Sequence, residues 1–241
     1  MADASVPIPP AAAIGFVPQA VLFDMDGLMI DSERALLETW REAARAEAID
    51  ADDALWLGMV GVHERSCFAM LVDAYGEDAA TRLRDANDRL YAERVAAGLP
   101  CKHGLFELLD LLEAHAIPKA VATSTPRERA LTKLAACGLL PRFPVVITGS
   151  DVEHPKPAPD IYLLAARELG VDPAQCLVLE DSEPGVRAAL AAGATPIQVP
   201  DLVAPGEALR AFGHRIVASL EQARELLAVV LAGTAQPAAG R

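Results

Sequence analysis

The chain has 241 residues, a formal net charge of −13 and a hydrophobic fraction of 52%. This length can bury one good core and a smaller second lobe. The acidic charge argues against a nucleic-acid surface, because phosphate backbones are bound through clustered Lys and Arg. The first 18 residues lack the basic start of a secretory signal, and no apolar run reaches membrane-spanning length. We therefore expect a cytoplasmic protein, with a monomer favoured, that binds neither nucleic acid nor membrane.

The first predicted strand ends in two acidic residues and a glycine. Residues 20–23 are apolar without alternation, as in a strand that is buried on both faces of a parallel sheet. Asp24 would lie at the C-terminal end of this strand, where open α/β sheets bind ligands. Gly27 allows the backbone to turn, which brings Asp24 and Asp26 near one point. A plain turn would explain Asp26 and Gly27 alone, but three further polar clusters favour a site.

Residues 35–99 are predicted to be entirely helical. Asp31 and Ser32 suit a helix N-cap, with Glu33 favourable in the first turn. Apolar residues then recur at helical spacing, glycines separate the segments, and no convincing strand pattern interrupts them. We therefore expect an inserted all-helical domain. Its predicted helices cover about residues 33–48, 52–57, 64–75 and 77–97.

The rest of the chain alternates between helical and strand patterns, which predicts a parallel sheet covered on both faces. The predicted fold is therefore α/β, with a Rossmann-like core formed by residues 19–34 and 100–231 around the helical insertion. Residues 1–18 and 232–241 are expected to be flexible ends. The predicted strands after the insertion cover about residues 118–122, 144–147, 176–179 and 196–199, and the predicted helices about 104–115, 126–136, 159–169, 184–192 and 220–231.

Polar residues follow three of these later strands. Thr123 and Ser124 come after the second strand of the chain, Lys156 follows the third by a loop, and Glu180 and Asp181 follow the fourth. Together with the first acidic pair, they would meet at one edge of the sheet. A set of carboxylates, a lysine and a hydroxyl suits a hard cation such as Mg²⁺ and phosphoryl transfer. It does not suit hydride or acyl transfer, because the corresponding glycine-rich and serine motifs are missing.

Four ordered segments resemble the motifs of the haloacid dehalogenase superfamily: residues 24–28, 121–124, 156–160 and 179–182. The chain is more closely similar to the branch with a helical cap inserted after the first strand. That branch includes β-phosphoglucomutase and the phosphatases of sugar phosphates and pseudouridine 5'-phosphate. The resemblance implies a core of the haloacid dehalogenase type, a helical cap that closes over the site, a Mg²⁺ cofactor and a small phosphorylated metabolite as substrate.

The resemblance also assigns roles to individual residues. Asp24 would be the nucleophile that forms an aspartyl-phosphate, and Asp26 would be the general acid/base and would give its backbone carbonyl to Mg²⁺. Lys156 would neutralise the nucleophile and the phosphate. Asp24 and Asp181 would ligate Mg²⁺, with Glu180 as a direct or water-mediated partner. The residues that would hold the phosphoryl group are Gly27, Leu28, Thr123, Ser124 and Lys156.

The cap carries the candidates for substrate specificity, namely His63, Glu64 and Arg65. Relatives of the mutase type have basic residues around a cap glycine, and here Val60 and Glu64 take those places around Gly61. This pattern favours a phosphatase of a small phosphomonoester, either a sugar phosphate or a nucleoside monophosphate. A phosphomutase similar to β-phosphoglucomutase is the alternative within the family. A catalytically silent scaffold that binds a metabolite or a partner is the alternative from another class.

Overall fold

The computed structural model describes residues 14–59 and 64–232. These residues form one sheet of six parallel strands, in the order β3-β2-β1-β4-β5-β6. The fold class predicted from the alternation of helix and strand is confirmed. The strands are β1 (Ala20–Phe23), β2 (Lys119–Thr123), β3 (Val145–Thr148), β4 (Cys176–Glu180), β5 (Thr195–Gln198) and β6 (Arg215–Ile216).

Strand β1 lies in the middle of the sheet, between β2 and β4. Val21 and Phe23 belong to the apolar cluster on one face, whereas Ala20 and Leu22 belong to the cluster on the other. All four side chains are fully buried. Because successive side chains of a strand point to opposite faces, a strand covered on both sides needs apolar residues throughout. This explains why the segment has no period-2 alternation.

Helices cover both faces of the sheet. Helices α7 and α8 contribute to the cluster that contains Leu22, and helices α5 and α10 contribute to the cluster that contains Phe23. The predicted helices agree with the observed ones, except that the short α9 was not predicted. The helices are α1 (Ser32–Ala46), α2 (Asp53–Met59), α3 (Glu64–Tyr75), α4 (Glu77–Ala97), α5 (Leu105–Ala114), α6 (Arg127–Ala136), α7 (Asp160–Leu169), α8 (Glu183–Ala191), α9 (Glu207–Arg210) and α10 (Leu220–Ala232).

Helices α1 to α4 share an apolar cluster of their own, which we call the cap cluster. Trp40 of α1 stacks on Trp56 of α2, with ring centroids 5.6 Å apart and planes at 8°. Thr39 donates a hydrogen bond to Asn87 across the buried contact of α1 with α4, at 2.7 Å. A separate cluster supports the predicted division into core and cap, whose boundaries stay a prediction. Every helix within the described ranges is too short or too polar to cross a membrane.

The chain crosses between core and cap at two neighbouring segments. The backbone N–H of Asp31 donates to Pro100 O and that of Lys102 donates to Met29 O, both at 2.9 Å. Asp31 takes the N-cap position of α1, as predicted, but its side chain makes no hydrogen bond to the helix N-terminus. It accepts instead from Lys102 Nζ at 2.8 Å and from Arg34 Nε at 3.2 Å. The carboxylate has a better partner across the two segments than at the end of the helix.

Candidate active site

The turn after β1 places two carboxylates at the C-terminal edge of the sheet. The N–H of Asp24 donates to Leu179 O at 3.0 Å, which ties the strand end to β4. Gly27 has a φ of +78° and donates to Ile30 O at 3.0 Å. A Cβ atom on Gly27 would overlap the Asp181 carboxylate. The glycine therefore meets both a backbone and a space requirement, and it lets the two acidic loops approach each other.

Lys156 joins two of the predicted site residues. Its Nζ donates to Asp24 Oδ1 and Glu180 Oε1, both at 2.6 Å, and to Ala122 O at 3.0 Å. Its side chain is only 5% exposed. Burial disfavours the charged ammonium, but the attraction of Asp24 and Glu180 outweighs this effect and raises the pKa of Lys156 well above its usual value. The lysine is therefore a fixed positive charge inside the site.

Glu180 is fully buried and has all four of its lone-pair positions occupied. Its Oε1 accepts from Lys156 and from the Tyr162 hydroxyl at 2.7 Å, and its Oε2 accepts from Ser182 N at 3.0 Å and Ser182 Oγ at 2.9 Å. Gly185 leaves room for this carboxylate, which any Cβ at that position would overlap. Burial opposes the negative charge, but Lys156 and the other donors lower the pKa of Glu180. Glu180 therefore anchors Lys156.

Three carboxylates form a group that fits a metal ion. One oxygen each of Asp24, Glu180 and Asp181 lies within 4.8 Å of the others. Burial and the repulsion of Glu180 and Asp26 raise the pKa of Asp24 to about 7 despite Lys156. Burial and the repulsion of Glu180 and Asp24 raise the pKa of Asp181 well above its usual value. Crowded carboxylates of this kind fit a divalent cation, and Mg²⁺ prefers such oxygen ligands.

Asp26 is held by two residues that the sequence did not single out. Lys133 of α6 donates to its Oδ1 and the Thr125 hydroxyl donates to its Oδ2, both at 2.6 Å. Burial opposes the charge of Asp26, but Lys133 and Thr125 lower its pKa. The Lys133 ammonium also lies over the Tyr91 ring of cap helix α4, 5.4 Å from the centroid. Lys133 therefore connects the core carboxylate with the cap.

The other predicted phosphate-binding residues lie at the ends of β1 and β2. Thr123 is buried, and its Oγ1 accepts from Thr125 N at 3.1 Å. Ser124 is exposed, and a Cβ atom on Gly149 would overlap its carbonyl oxygen, so the loops after β2 and β3 touch. The Leu28 side chain is fully buried, which leaves only its backbone to face a ligand. The hydroxyl of Thr123 and the backbone of Ser124 thus occupy the predicted sheet edge.

A cavity of about 610 Å³ lies between the cap helices and α6. Glu33 and Lys133 are among its lining residues, which places the cavity beside Asp26. Burial and the charge of Asp26 raise the pKa of Glu33 to about 7. The remaining wall is mainly apolar and aromatic, with polar groups from α4 and α6. Members of that wall include Trp40, Trp56, Phe68, Arg84, Asn87 and Tyr91.

The predicted specificity residues come directly before α3 and at its start in the sequence. His63 lies outside the described residues. Glu64 and Arg65 begin α3, but their side chains are also outside the described part of the chain. Val60, on which the comparison with mutases depends, is likewise outside it. These assignments therefore stay predictions from the sequence.

The chain matches both a protein family and individual curated proteins. Residues 18–193 match the family model for haloacid dehalogenase-like hydrolases. A phosphorylated carbohydrates phosphatase of Thermotoga maritima is 34% identical over 180 residues, which cover 73% of this chain and 82% of the relative. A fructose-1-phosphate phosphatase of Escherichia coli is 30% identical over 181 residues, which cover 74% of this chain and 95% of the relative.

Solved structures agree with this assignment. The crystal structure of a putative β-phosphoglucomutase from Thermotoga maritima has a TM-score of 0.72 at 33% identity, and the match covers 88% of this chain and 97% of that one. A hydrolase of the same superfamily from Deinococcus radiodurans, with bound phosphate and sodium, has a TM-score of 0.75 at 29% identity, and the match covers 92% and 99%. The resemblance that the four motifs indicated is confirmed. The chain belongs to the haloacid dehalogenase-like hydrolases.

Proposed function

We propose that this chain is a Mg²⁺-dependent phosphatase that hydrolyses a small phosphomonoester through an aspartyl-phosphate on Asp24. A sugar phosphate is the leading substrate class, as the names of the two curated relatives suggest, and a nucleoside monophosphate is the second. One observation carries the proposal: Lys156 bridges Asp24 and Glu180 inside a buried carboxylate group that can hold a metal ion. This arrangement supports Asp24 as the nucleophile, because it is oriented by a buried positive charge that a phosphoryl group would also need.

In the first step, an oxygen of Asp24 attacks phosphorus and the bond from phosphorus to the substrate oxygen breaks. Lys156 holds Oδ1 of Asp24, which orients the carboxylate and offsets charge on the phosphoryl oxygens. The Thr123 hydroxyl and the backbone turns at Gly27, Leu28 and Ser124 would hold those oxygens. Asp26 donates a proton to the leaving oxygen as general acid.

In the second step, water attacks the aspartyl-phosphate and Asp26 takes its proton as general base. Inorganic phosphate leaves and the Asp24 carboxylate is restored. In the present arrangement Lys133 and Thr125 keep Asp26 ionised. Asp26 must therefore give up its contact with Lys133 and be protonated before the first step. Because Lys133 also contacts Tyr91 of the cap, closure of the cap around the substrate is a suitable moment for this exchange.

The metal ligands that we propose are Asp24, Asp181 and the backbone carbonyl of Asp26. Glu180 already accepts four hydrogen bonds, so we assign to it the positioning of Lys156 rather than direct coordination. When bound, Mg²⁺ would offset the repulsion between the carboxylates and the dianionic phosphate.

The cavity beside Lys133 would receive the part of the substrate that leaves with the oxygen. The cap would exclude bulk water and select among substrates, with His63, Glu64 and Arg65 as further specificity candidates. The cytoplasmic location and the monomeric state stay predictions from the sequence.

The test is phosphate release from a panel of phosphomonoesters, with Mg²⁺ and with EDTA. The panel includes hexose phosphates, nucleoside monophosphates and pseudouridine 5'-phosphate, and β-glucose 1-phosphate is also coupled to the detection of glucose 6-phosphate. We expect metal-dependent release that is concentrated on one group of compounds. That group then identifies the substrate class.

Two other outcomes contradict the proposal in different ways. Glucose 6-phosphate formation without net phosphate release would indicate a phosphomutase, which is the name given to the Thermotoga maritima structure. Undiminished phosphate release in EDTA would contradict the role of Mg²⁺ but keep the phosphatase.

A further inference from the structure

Asp201 carries a buried carboxylate oxygen that lacks a hydrogen-bond partner. The residue follows β5, at the same edge of the sheet as the candidate active site. Its side chain is 5% exposed, and its Oδ1 accepts from Lys102 Nζ at 2.5 Å. Its Oδ2 is buried and has no partner among the described residues. Because a buried acceptor that stays unpaired is costly, this oxygen calls for a donor that belongs to a ligand or to its hydration shell.

The unpaired oxygen lies near Asp181, one of the proposed metal ligands. A Cβ atom on Gly27 would lie 3.4 Å from Asp201 Oδ2, and the same atom would overlap Asp181 Oδ2. The two carboxylate oxygens therefore reach the same point beside Gly27. Asp181 belongs to the group of carboxylates that fits a metal ion. Asp201 thus borders this group from the β5 side without being a member of it.

Lys102 fixes which oxygen of Asp201 is left free. Its ammonium contacts Oδ1 of Asp201 and, on its other side, Oδ1 of Asp31 at 2.8 Å. Both ion pairs raise the pKa of Lys102 although its partial burial opposes the charge. The lysine remains charged, so it holds Oδ1 firmly and turns Oδ2 toward Gly27.

The chemistry of Mg²⁺ explains what such an oxygen can do. Mg²⁺ dehydrates reluctantly and keeps several waters when only a few carboxylates bind it. Those waters donate hydrogen bonds, and acceptors around them orient the metal shell and contribute to affinity. We propose that Asp201 is an outer residue of the metal site, whose Oδ2 accepts a hydrogen bond from a metal-bound water. This inference rests on the proposed function, because it takes the metal ligands Asp24 and Asp181 as given.

The test measures metal binding rather than turnover. Mn²⁺ is the probe, and its free concentration is followed by electron paramagnetic resonance in titrations of the wild-type chain and of two variants. Asp201→Asn keeps the shape and can still accept from Lys102 through its amide oxygen, but it turns an NH₂ donor toward the waters. We expect the Kd for Mn²⁺ to rise by about 10-fold to 100-fold.

Asp31→Asn is the matched control. It removes the same charge beside the same lysine, but leaves Asp201 Oδ2 in place. We expect its Kd to stay within about threefold of the wild-type value, since Asp31 is partly exposed and solvent screens its charge. Asp201→Ala is a second test of the same oxygen, and we expect it to weaken binding at least as much as Asp201→Asn.

Three results would overturn the inference. Wild-type affinity in both Asp201 variants would mean that the unpaired oxygen contributes nothing to the metal. Equal weakening in Asp31→Asn would mean that the effect comes from net charge or from the two crossing segments. If the wild-type chain itself bound no Mn²⁺, the metal site of the proposed function would fail, and this inference with it. The first two results leave the proposed function intact.

Discussion

The core and the cap bring different chemistry to the candidate active site and the cavity beside it. On the core side, Lys156, Glu180 and Asp24 are buried and joined by short hydrogen bonds. On the cap side, an apolar cluster around the stacked pair of Trp40 and Trp56 supports the wall. The core side is therefore fixed by charge, whereas the cap side is shaped by packing.

This difference matches two separate tasks. Every phosphomonoester presents the same phosphoryl group, so the groups that act on it can be fixed in advance. The leaving group differs between substrates, and an apolar pocket with a few polar groups can select among them. Changes in the core should therefore lower turnover of every substrate. Changes in the cap residues that line the cavity should alter substrate binding and leave the chemical step nearly intact.

The largest expected effect is that of Asp24→Asn in the core. The amide cannot form an aspartyl-phosphate, so we expect kcat to fall by at least about 10⁴-fold for every substrate. The side chain keeps its shape, and the loss of a charge relieves its repulsion with Glu180, so the fold should persist. Phosphate release gives kcat, and thermal unfolding with circular dichroism checks the fold.

Asp160→Asn is the control for this change. Asp160 belongs to the same motif as Lys156, but it pairs with His154 at the surface at 2.9 Å. We expect its kcat to stay within about twofold of the wild-type value, as for most surface substitutions. Undiminished activity in Asp24→Asn would rule out the covalent route, and a comparable loss in Asp160→Asn would mean that the assay reports a general disturbance.

The core side of the site was predictable from the sequence because strand ends carry positional information. Apolar runs such as residues 20–23 locate the strands, and the carboxyl ends of parallel strands meet at one edge. Asp24, Lys156 and Asp181 followed from this rule together with the motifs. Asp201 obeys the same rule, since it comes shortly after β5. It was missed because it belongs to none of the four motifs.

The remaining contacts could not be predicted, because they depend on how helices are placed. Lys133 lies in the middle of α6, where a lysine normally faces solvent. Only the packing of α6 beneath the cap turns it toward Asp26. The same is true of Tyr162, whose hydroxyl reaches Glu180 from α7. Helical periodicity predicts on which side of its helix a residue lies, but not which other element packs against that side.

An intermediate effect is expected at Lys133, which touches both regions. Lys133→Met removes the donor to Asp26 Oδ1 and leaves Lys156 and Thr123 unchanged. We expect kcat to fall by about 10²-fold, the lower range for general acid/base catalysis, because Asp26 loses the cation that keeps it ionised as the general base of the second step. KM should change by less than about threefold. Lys133→Arg should restore part of kcat, because a cation beside Asp26 returns. Steady-state kinetics on the best substrate measures both constants.

Lys119→Met is the matched control for the loss of a buried lysine. Lys119 is equally buried and pairs with Glu113 at 2.8 Å, but it begins β2 at the opposite edge of the sheet. Its kcat should remain near the wild-type value. An unchanged kcat in Lys133→Met would show that Asp26 works without this contact. A rise in KM alone would reassign Lys133 to substrate binding, as a part of the cavity wall.

The smallest effect is expected on the cap side, at Arg84. Its guanidinium lies over the Phe68 ring, 4.7 Å from the centroid, and both residues line the cavity. A hydrogen bond from a charged group to a polar leaving group is worth enough to raise KM by about tenfold when Arg84→Met removes it. The value of kcat should stay within about twofold, since the phosphoryl group is held by the core. Arg82→Met is the control, because Arg82 pairs with Glu47 on the cap surface at 2.9 Å.

The comparison of these two variants decides whether the cap residues that line the cavity select the substrate. If KM rises only in Arg84→Met, and more for some members of the substrate panel than for others, the wall contacts the leaving group. If both arginine variants behave like the wild type, the leaving group does not reach α4. Selection would then fall to the segment that begins α3, where Glu64 and Arg65 lie. If kcat falls with KM in Arg84→Met, the separation between a core that performs chemistry and a cap that binds would be wrong.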